Sequence, residues 1–186
     1  MAERVSALAG HYSIGHVGAA GETGVSLCAM HGLILHQVAA WPATLVAVGE
    51  KAAREAAVEA APGPGRAAVG KRGALLRIEP LKWWMFGAAA PALTPEEGAT
   101  LDLSHSRTHL RIEGPRAASL INRHLPIDLR ETAFPVGAVA ASVLHHVGVT
   151  LWRSQDGFEL FLPRGFALSL WDVLLEGAAQ FGAEVL

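Results

Sequence analysis

The sequence predicts an α+β protein built from two small sheet-plus-helix lobes. Short runs with strand-period alternation recur in both halves of the chain. Two longer segments, one in each half, carry helical spacing or composition. Glycine, proline and Asp-Gly punctuation separates most of these runs.

From the start of the chain, residues 1–23 hold Gly10, Gly15, Gly18 and Gly21, few large apolar residues and no sustained period, so they read as an N-terminal arm, flexible unless something holds it. His11 and His16 lie in it, either as solvated loop side chains or as part of a partner-binding segment. The first lobe is expected over residues 24–90. Val25 to Met30 and Leu33 to Val38 read as two strands across a His31-Gly32 turn, and Trp41-Pro42 breaks the second, because the residue before proline is driven toward extended backbone. Thr44 to Ala60 is alanine-rich and helical in composition, with Glu50/Arg54 and Lys51/Glu55 at i,i+4 spacing. Gly49 weakens this helix and Pro62-Gly63-Pro64-Gly65 ends it. Ala74 to Glu79 alternates as a strand, and Trp83-Trp84-Met85-Phe86 is an apolar run that fits a buried one. Pro91 to Gly98 joins the lobes, with Thr94 placed to cap one turn at Thr94-Pro95-Glu96-Glu97.

The second lobe is expected over residues 99–186. Leu101 to His105 alternates, and after a turn near Ser106 the residues Thr108, Leu110 and Ile112 share one strand face while Arg107, His109, Arg111 and Glu113 share the other. Gly114-Pro115 opens a helix, since proline is tolerated where its missing N–H would have been unpaired, and Leu120, Ile121 and Leu125 form its apolar stripe. Ala138 to Val147 and Val149 to Arg153 read as strands separated by Gly148. Asp156-Gly157 is a hairpin signal before the returning strand Phe158 to Leu162. Phe166 to Gly182 is the strongest helix, with Leu170, Trp171, Leu174, Leu175, Ala178 and Phe181 at three- and four-residue spacing and a terminal glycine.

A chain of 186 residues buries about 70% of its extended surface, enough for a substantial core. Apolar residues make up 51% and charged residues 17%. Either alanine inflates that apolar share, or part of the surface is covered by partners. A net charge of −2, without a basic cluster, lacks the electrostatic footprint of nucleic-acid binding. One cysteine, Cys28, allows no internal disulfide, and its apolar setting suits a small buried hydrophobe. No apolar run approaches the ~20 residues of a membrane span, and no leader pattern opens the chain, so the expected location is the cytoplasm and no membrane partner is expected.

The chemistry is thin. His105 and His109 have zinc-helix spacing, but on a strand four residues span about 13 Å, too far for one ion, so no metal is expected. His145 and His146, adjacent on a strand, would face opposite ways. There is no Gly-x-Ser-x-Gly elbow, no activating partner for Cys28 and no Gly-x-Gly-x-x-Gly after a strand, so no catalytic residue is assigned. Trp84, Arg153 and Arg164 are the candidates for a partner interface, where aromatic and arginine side chains concentrate; one of Trp83 and Trp84 is expected in the core and the other half-exposed, and solvated loops are the other reading for the arginines.

Asp102-Leu103-Ser104-His105, Ile112-Glu113-Gly114-Pro115-Arg116-Ala117-Ala118-Ser119-Leu120-Ile121 and Asp156-Gly157-Phe158-Glu159-Leu160-Phe161-Leu162-Pro163 followed by Trp171 resemble the aminomethyltransferase fold of the glycine-cleavage T-protein superfamily. Together with the short chain, His145-His146-Val147-Gly148-Val149 and Pro163-Arg164-Gly165-Phe166-Ala167-Leu168-Ser169-Leu170-Trp171 narrow the resemblance to gamma subunits of heterotetrameric sarcosine oxidases, over roughly residues 25–182. The resemblance implies an accessory chain that is not itself catalytic and holds no cofactor. Its partners would be alpha, beta and delta subunits, which hold the flavins, NAD and zinc. The complex would oxidise sarcosine to glycine with formation of hydrogen peroxide and 5,10-methylenetetrahydrofolate. In the superfamily the turn before Asp-Gly-Phe-Glu reads like Thr-Gly-Tyr-Thr-Gly-Glu, whose glutamate holds the pterin. Here the run is Thr150-Leu151-Trp152-Arg153-Ser154-Gln155. Gln155 therefore marks a vestigial folate position that has lost its charge-assisted hydrogen bonds, and Leu151 and Trp152 add bulk there. The alternatives are a free-standing folate-dependent aminomethyltransferase and a subunit of a related N-methyl amino acid dehydrogenase.

Overall fold

The computed structural model describes residues 5–186, and the first four residues of the expected arm lie outside them. The chain forms two units that interleave in sequence. One comprises residues 5–31, Ser106–Val136 and Ala141–Leu186; the other comprises Gly32–His105 and Gly137–Ala140.

The first unit holds strands β1 (Gly15–Val17) and β2 (Val25–Met30), and the second begins with β3 (Leu35–Ala40), helix α1 (Leu45–Ala56), β4 (Ala67–Val69), β5 (Ala74–Glu79), β6 (Lys82–Phe86) and β7 (Gly98–Asp102). The chain then returns to the first unit with β8 (Arg107–Glu113), α2 (Ala117–Ile121), β9 (Val139–Leu144), β10 (Val147–Arg153), β11 (Phe158–Pro163), α3 (Ala167–Ala179) and β12 (Ala183–Val185). The sheets have the orders β1-β12-β2-β8-β11-β10-β9 and β4-β5-β6-β3-β7, so the fold class is α+β as expected.

In the seven-stranded sheet, β2, β8, β11 and β10 pair antiparallel in sequence-distant register: Leu27 faces Ile112, and Leu110 faces Leu160, which faces Leu151. These leucines and Ile112 are fully buried. Strand β11 is buried on both faces, and its one charged residue, Glu159, is buried with its apolar neighbours. Helices α2 and α3 pack together, α2 against β2 and α3 against β1 and β12.

The five-stranded unit has its own core. The α1 stripe of Val48, Ala52, Ala53 and Ala56 meets Val38, Leu75, Trp83 and Met85 of the sheet. Small side chains on α1 let the helix lie close to these larger groups.

Five expectations need correction. Residues 25–38 do not form a hairpin: β2 and β3 belong to different sheets, because each finds its partners far along the chain. The units accordingly do not divide at Pro91–Gly98, since β7 pairs with β3 and the first unit resumes only at Ser106. The described part of the arm is not loose: β1 pairs with β12, Leu8 is buried and Tyr12 packs on Trp171 with ring centroids 5.3 Å apart. Helix α1 stops at Ala57, which enters the left-handed region (φ 56°) while Val58 N–H bonds the Ala53 carbonyl and Arg72 donates to the Arg54 and Glu55 carbonyls; the proline-glycine run comes later. Lys51 pairs with Glu97 instead of Glu55, at 2.6 Å, and Glu97 also accepts the Thr94 N–H at 3.0 Å, a capping-box return.

Candidate functional site

The matched segment converges on a buried polar network at the turn between β10 and β11. The register sets Arg111 directly opposite Glu159, with His109 one pair further along the same face, opposite Phe161. Cross-strand neighbours at that spacing are within side-chain reach. One Glu159 carboxylate oxygen accepts from His109 Nε2 at 2.6 Å; the other accepts from Arg111 Nε at 2.8 Å and Ser154 Oγ at 2.9 Å. Ser154 Oγ also accepts the backbone N–H groups of Asp156 and Gly157, each at 3.2 Å. His109 is 2% exposed and Glu159 1%, and the imidazole stacks on Phe161 at 4.6 Å.

Burial pushes the Glu159 carboxyl up, but the hydrogen bonds and charges of His109, Ser154 and Arg111 outweigh it and hold the group below its ordinary range. With both oxygens occupied and the group shut from solvent, the network clamps the Ser154–Gly157 turn. It gives a substrate no access. Arg111 extends it outward to Asp156, 3.4 Å away.

The residues singled out from sequence are scattered. Gln155 is exposed at the tip of the turn, while Leu151 and Trp152 are buried in β10, so their bulk is core and does not fill an open site. Arg153 is half-buried over the Phe158 ring at 5.3 Å and donates to the Phe134 carbonyl at 2.9 Å; it ties residues 129–134 to the sheet and is an internal anchor, not an outward-facing one. Trp84 is 4% exposed within β6, with its indole nitrogen 3.4 Å from Gln37 Oε1, and offers almost no surface to a neighbour. Arg164 is exposed and donates to the Val5 carbonyl at 2.7 Å, fastening the N-terminal segment.

His145 and His146 are not strand residues: both have positive φ (45° and 70°) and make the turn between β9 and β10. His145 Nε2 lies 3.3 Å from His124 Nδ1, and burial, then His145 and Arg123, hold His124 below its ordinary value. His105 lies in a turn and His109 in the network, and among the described residues no group of three His, Cys, Asp or Glu side chains gathers at metal-binding distance. Cys28 is half-buried and unpaired. Sequence reasoning missed Glu159 and Ser154. The signal was the polar face of His109 and Arg111, which needs a buried anion once both strands are in one sheet.

No protein-family model matches this chain. It is 35% identical over 91 residues to the sarcosine oxidase subunit gamma of Arthrobacter sp., a match covering 49% of this chain and 45% of that one. The corresponding subunit of Corynebacterium sp. (strain U-96) is 34% identical over 93 residues, 50% of this chain and 45% of that one. In fold it matches a chain of the heterotetrameric sarcosine oxidase from Corynebacterium sp. U-96 with a TM-score of 0.74 and 26% identity, over 89% of this chain and 88% of that one. The chain is similar to sarcosine oxidase gamma subunits in sequence and to a chain of a heterotetrameric sarcosine oxidase in fold. The sequence matches to these gamma-subunit relatives span about half of their length. The aminomethyltransferase T of the glycine cleavage system from Bartonella henselae shares the fold at a TM-score of 0.60 and 19% identity, over 89% of this chain but 48% of that one. The fold expected from the Asp-Gly-Phe-Glu and Ile-Glu-Gly-Pro segments is therefore the one observed. Among the described residues, no helix is long and apolar enough to cross a membrane.

Proposed function

We propose that this chain is an accessory, non-catalytic subunit of a heterotetrameric sarcosine oxidase. The observation that carries the reading is the reciprocal structural coverage: 89% of this chain matches 88% of one chain of such a complex, whereas it matches under half of an aminomethyltransferase. The geometry is in keeping with that role. The segment aligned with a folate-holding turn is clamped by Ser154, Glu159, His109 and Arg111, and Leu151 and Trp152 are committed to the core. In this reading the partners are alpha, beta and delta chains that carry the flavins, NAD and zinc. The assembly demethylates sarcosine oxidatively to glycine, forming hydrogen peroxide and passing the one-carbon unit to tetrahydrofolate. This chain contributes surface and stability to the assembly, which works in the cytoplasm.

Co-expression with a flavoprotein bearing a dinucleotide motif and a small cysteine-rich zinc chain, followed by size-exclusion chromatography with light scattering, tests this. The expected result is co-elution in a complex with flavin absorbance and sarcosine-dependent peroxide. A monomer that ignores those partners, or one that binds reduced folate at micromolar concentration, would sink the reading.

A further inference from the structure

The five-stranded unit contains a cavity of about 630 Å³, within the size range of small-ligand sites. One wall is α1, through Leu45, Gly49 and Ala53; the facing wall is Val58 to Ala61; Arg77 and Trp83 close it from the sheet. Its lining is mostly apolar, but two N–H groups among these residues, Trp83 Nε1 and Arg77 Nε, are buried with no hydrogen-bond partner. Buried donors are almost always paired, so two adjacent unmet ones point to an acceptor that this chain does not supply.

The two residues are direct cross-strand partners, and the guanidinium carbon lies 5.0 Å from the Trp83 ring centroid. Arg77 is fixed in place: its terminal nitrogens donate to the carbonyls of Pro62 at 3.4 Å and Pro80 at 2.6 Å, leaving Nε uncommitted. The other charged residues of the lining, Glu50, Arg54 and Glu59, are exposed and solvent-screened, so the Arg77 guanidinium is the least exposed charge of the cavity. At Gly49 the helix packs closely on the other walls, since a Cβ there would lie 3.2 Å from Ala61 Cβ and 3.4 Å from Trp83 Cζ2.

We propose that this cavity is a binding site for a small organic carboxylate with an apolar body, an aryl or branched-alkyl acid. Its carboxylate accepts from Trp83 Nε1 and Arg77 Nε, and its body lies between α1 and residues 58–61. A neutral acceptor would make the weaker, uncharged version of both bonds. The site is independent of the assembly reading and is tested on the full chain alone.

The test is a titration of nitrogen-15-labelled chain with cinnamate, 1-naphthoate and the neutral cinnamyl alcohol, following the Trp83 indole N–H resonance, which is assigned with Trp83→Phe. The expected result is a saturable shift of that resonance with at least one acid, with the alcohol weaker by about tenfold or more, as loss of a charge-assisted bond predicts. Trp83→Phe and Arg77→Lys should each weaken acid binding by a similar factor. The variants' folded state is checked by their amide spectra. The proposal is overturned if neither acid moves the Trp83 resonance, if the alcohol binds as well as the acid, or if the folded Arg77→Lys chain binds the acid unchanged.

Discussion

The two buried polar clusters of this molecule differ in how completely their hydrogen bonds are met. Around Glu159 three donors, two from β8 and one from the turn, occupy both carboxylate oxygens. Around Trp83 and Arg77 two donors have no acceptor, and empty volume lies beside them. Both clusters sit on cross-strand pairs, so strand pairing alone does not decide the outcome. The first cluster includes the acceptor its donors need and becomes a clamp. The second lacks one and becomes a receptor.

The sharpest way to break this comparison is to remove one member of each cluster. Glu159→Ala leaves Arg111 and His109 facing a buried vacancy and should cost about 3–5 kcal/mol in urea unfolding. Trp83→Phe removes a donor that orphans nothing and should cost less than about 1.5 kcal/mol. Equal costs would mean that the clusters do not differ as described. A pH series sharpens it further. The Glu159 carboxyl is depressed in the folded state, so its contribution is complete above the ordinary glutamate value of about 4.3 and is lost as pH falls through the lower folded value. Glu159→Gln should remove that acid-side slope. His124 is depressed too, so a separate loss should begin as pH drops below about 6.5, and His124→Gln should erase only that one.

Smaller effects test the cavity wall. Ala57→Gly relieves a left-handed alanine just before Val58 and should gain about 0.5–1 kcal/mol by thermal melting. Glu97→Gln, which breaks the pair with Lys51, should lower the melting midpoint slightly at low salt and not at high salt.

Much of the secondary structure was legible because β8 and α3 each carry an unambiguous period and Asp156-Gly157 marks the turn before β11. What local pattern could not supply was partnership. Val25–Met30 and the strand after Gly32 look like a hairpin, and only the distant residues Ile112 and Trp84 reveal that their sheets differ. Strand β1 is three residues long, too short to show alternation. The His145-His146 turn has no glycine at its two positive-φ residues, so the nearby Gly148, which lies inside β10, drew the break to the wrong place. Trp84 was a candidate for an interface, but in β6 it is buried like its neighbours Trp83 and Met85. The Asp156-Gly157 turn was visible in sequence. The Glu159 clamp was not, because it exists only when β8, β11 and the turn share one register.

The position of β12 has a consequence for synthesis. This strand lies between β1 and β2, parallel to β2, and contributes Ala183 and Val185 to the buried interior. On a ribosome, β1 and β2 emerge more than a hundred and fifty residues before the strand that joins them. Until residues 183–185 clear the exit tunnel, β2 carries an open edge with unpaired backbone groups, a template for pairing with other nascent chains. This unit therefore closes last, and the time between its first strands and its last is when the chain is most exposed to misassociation.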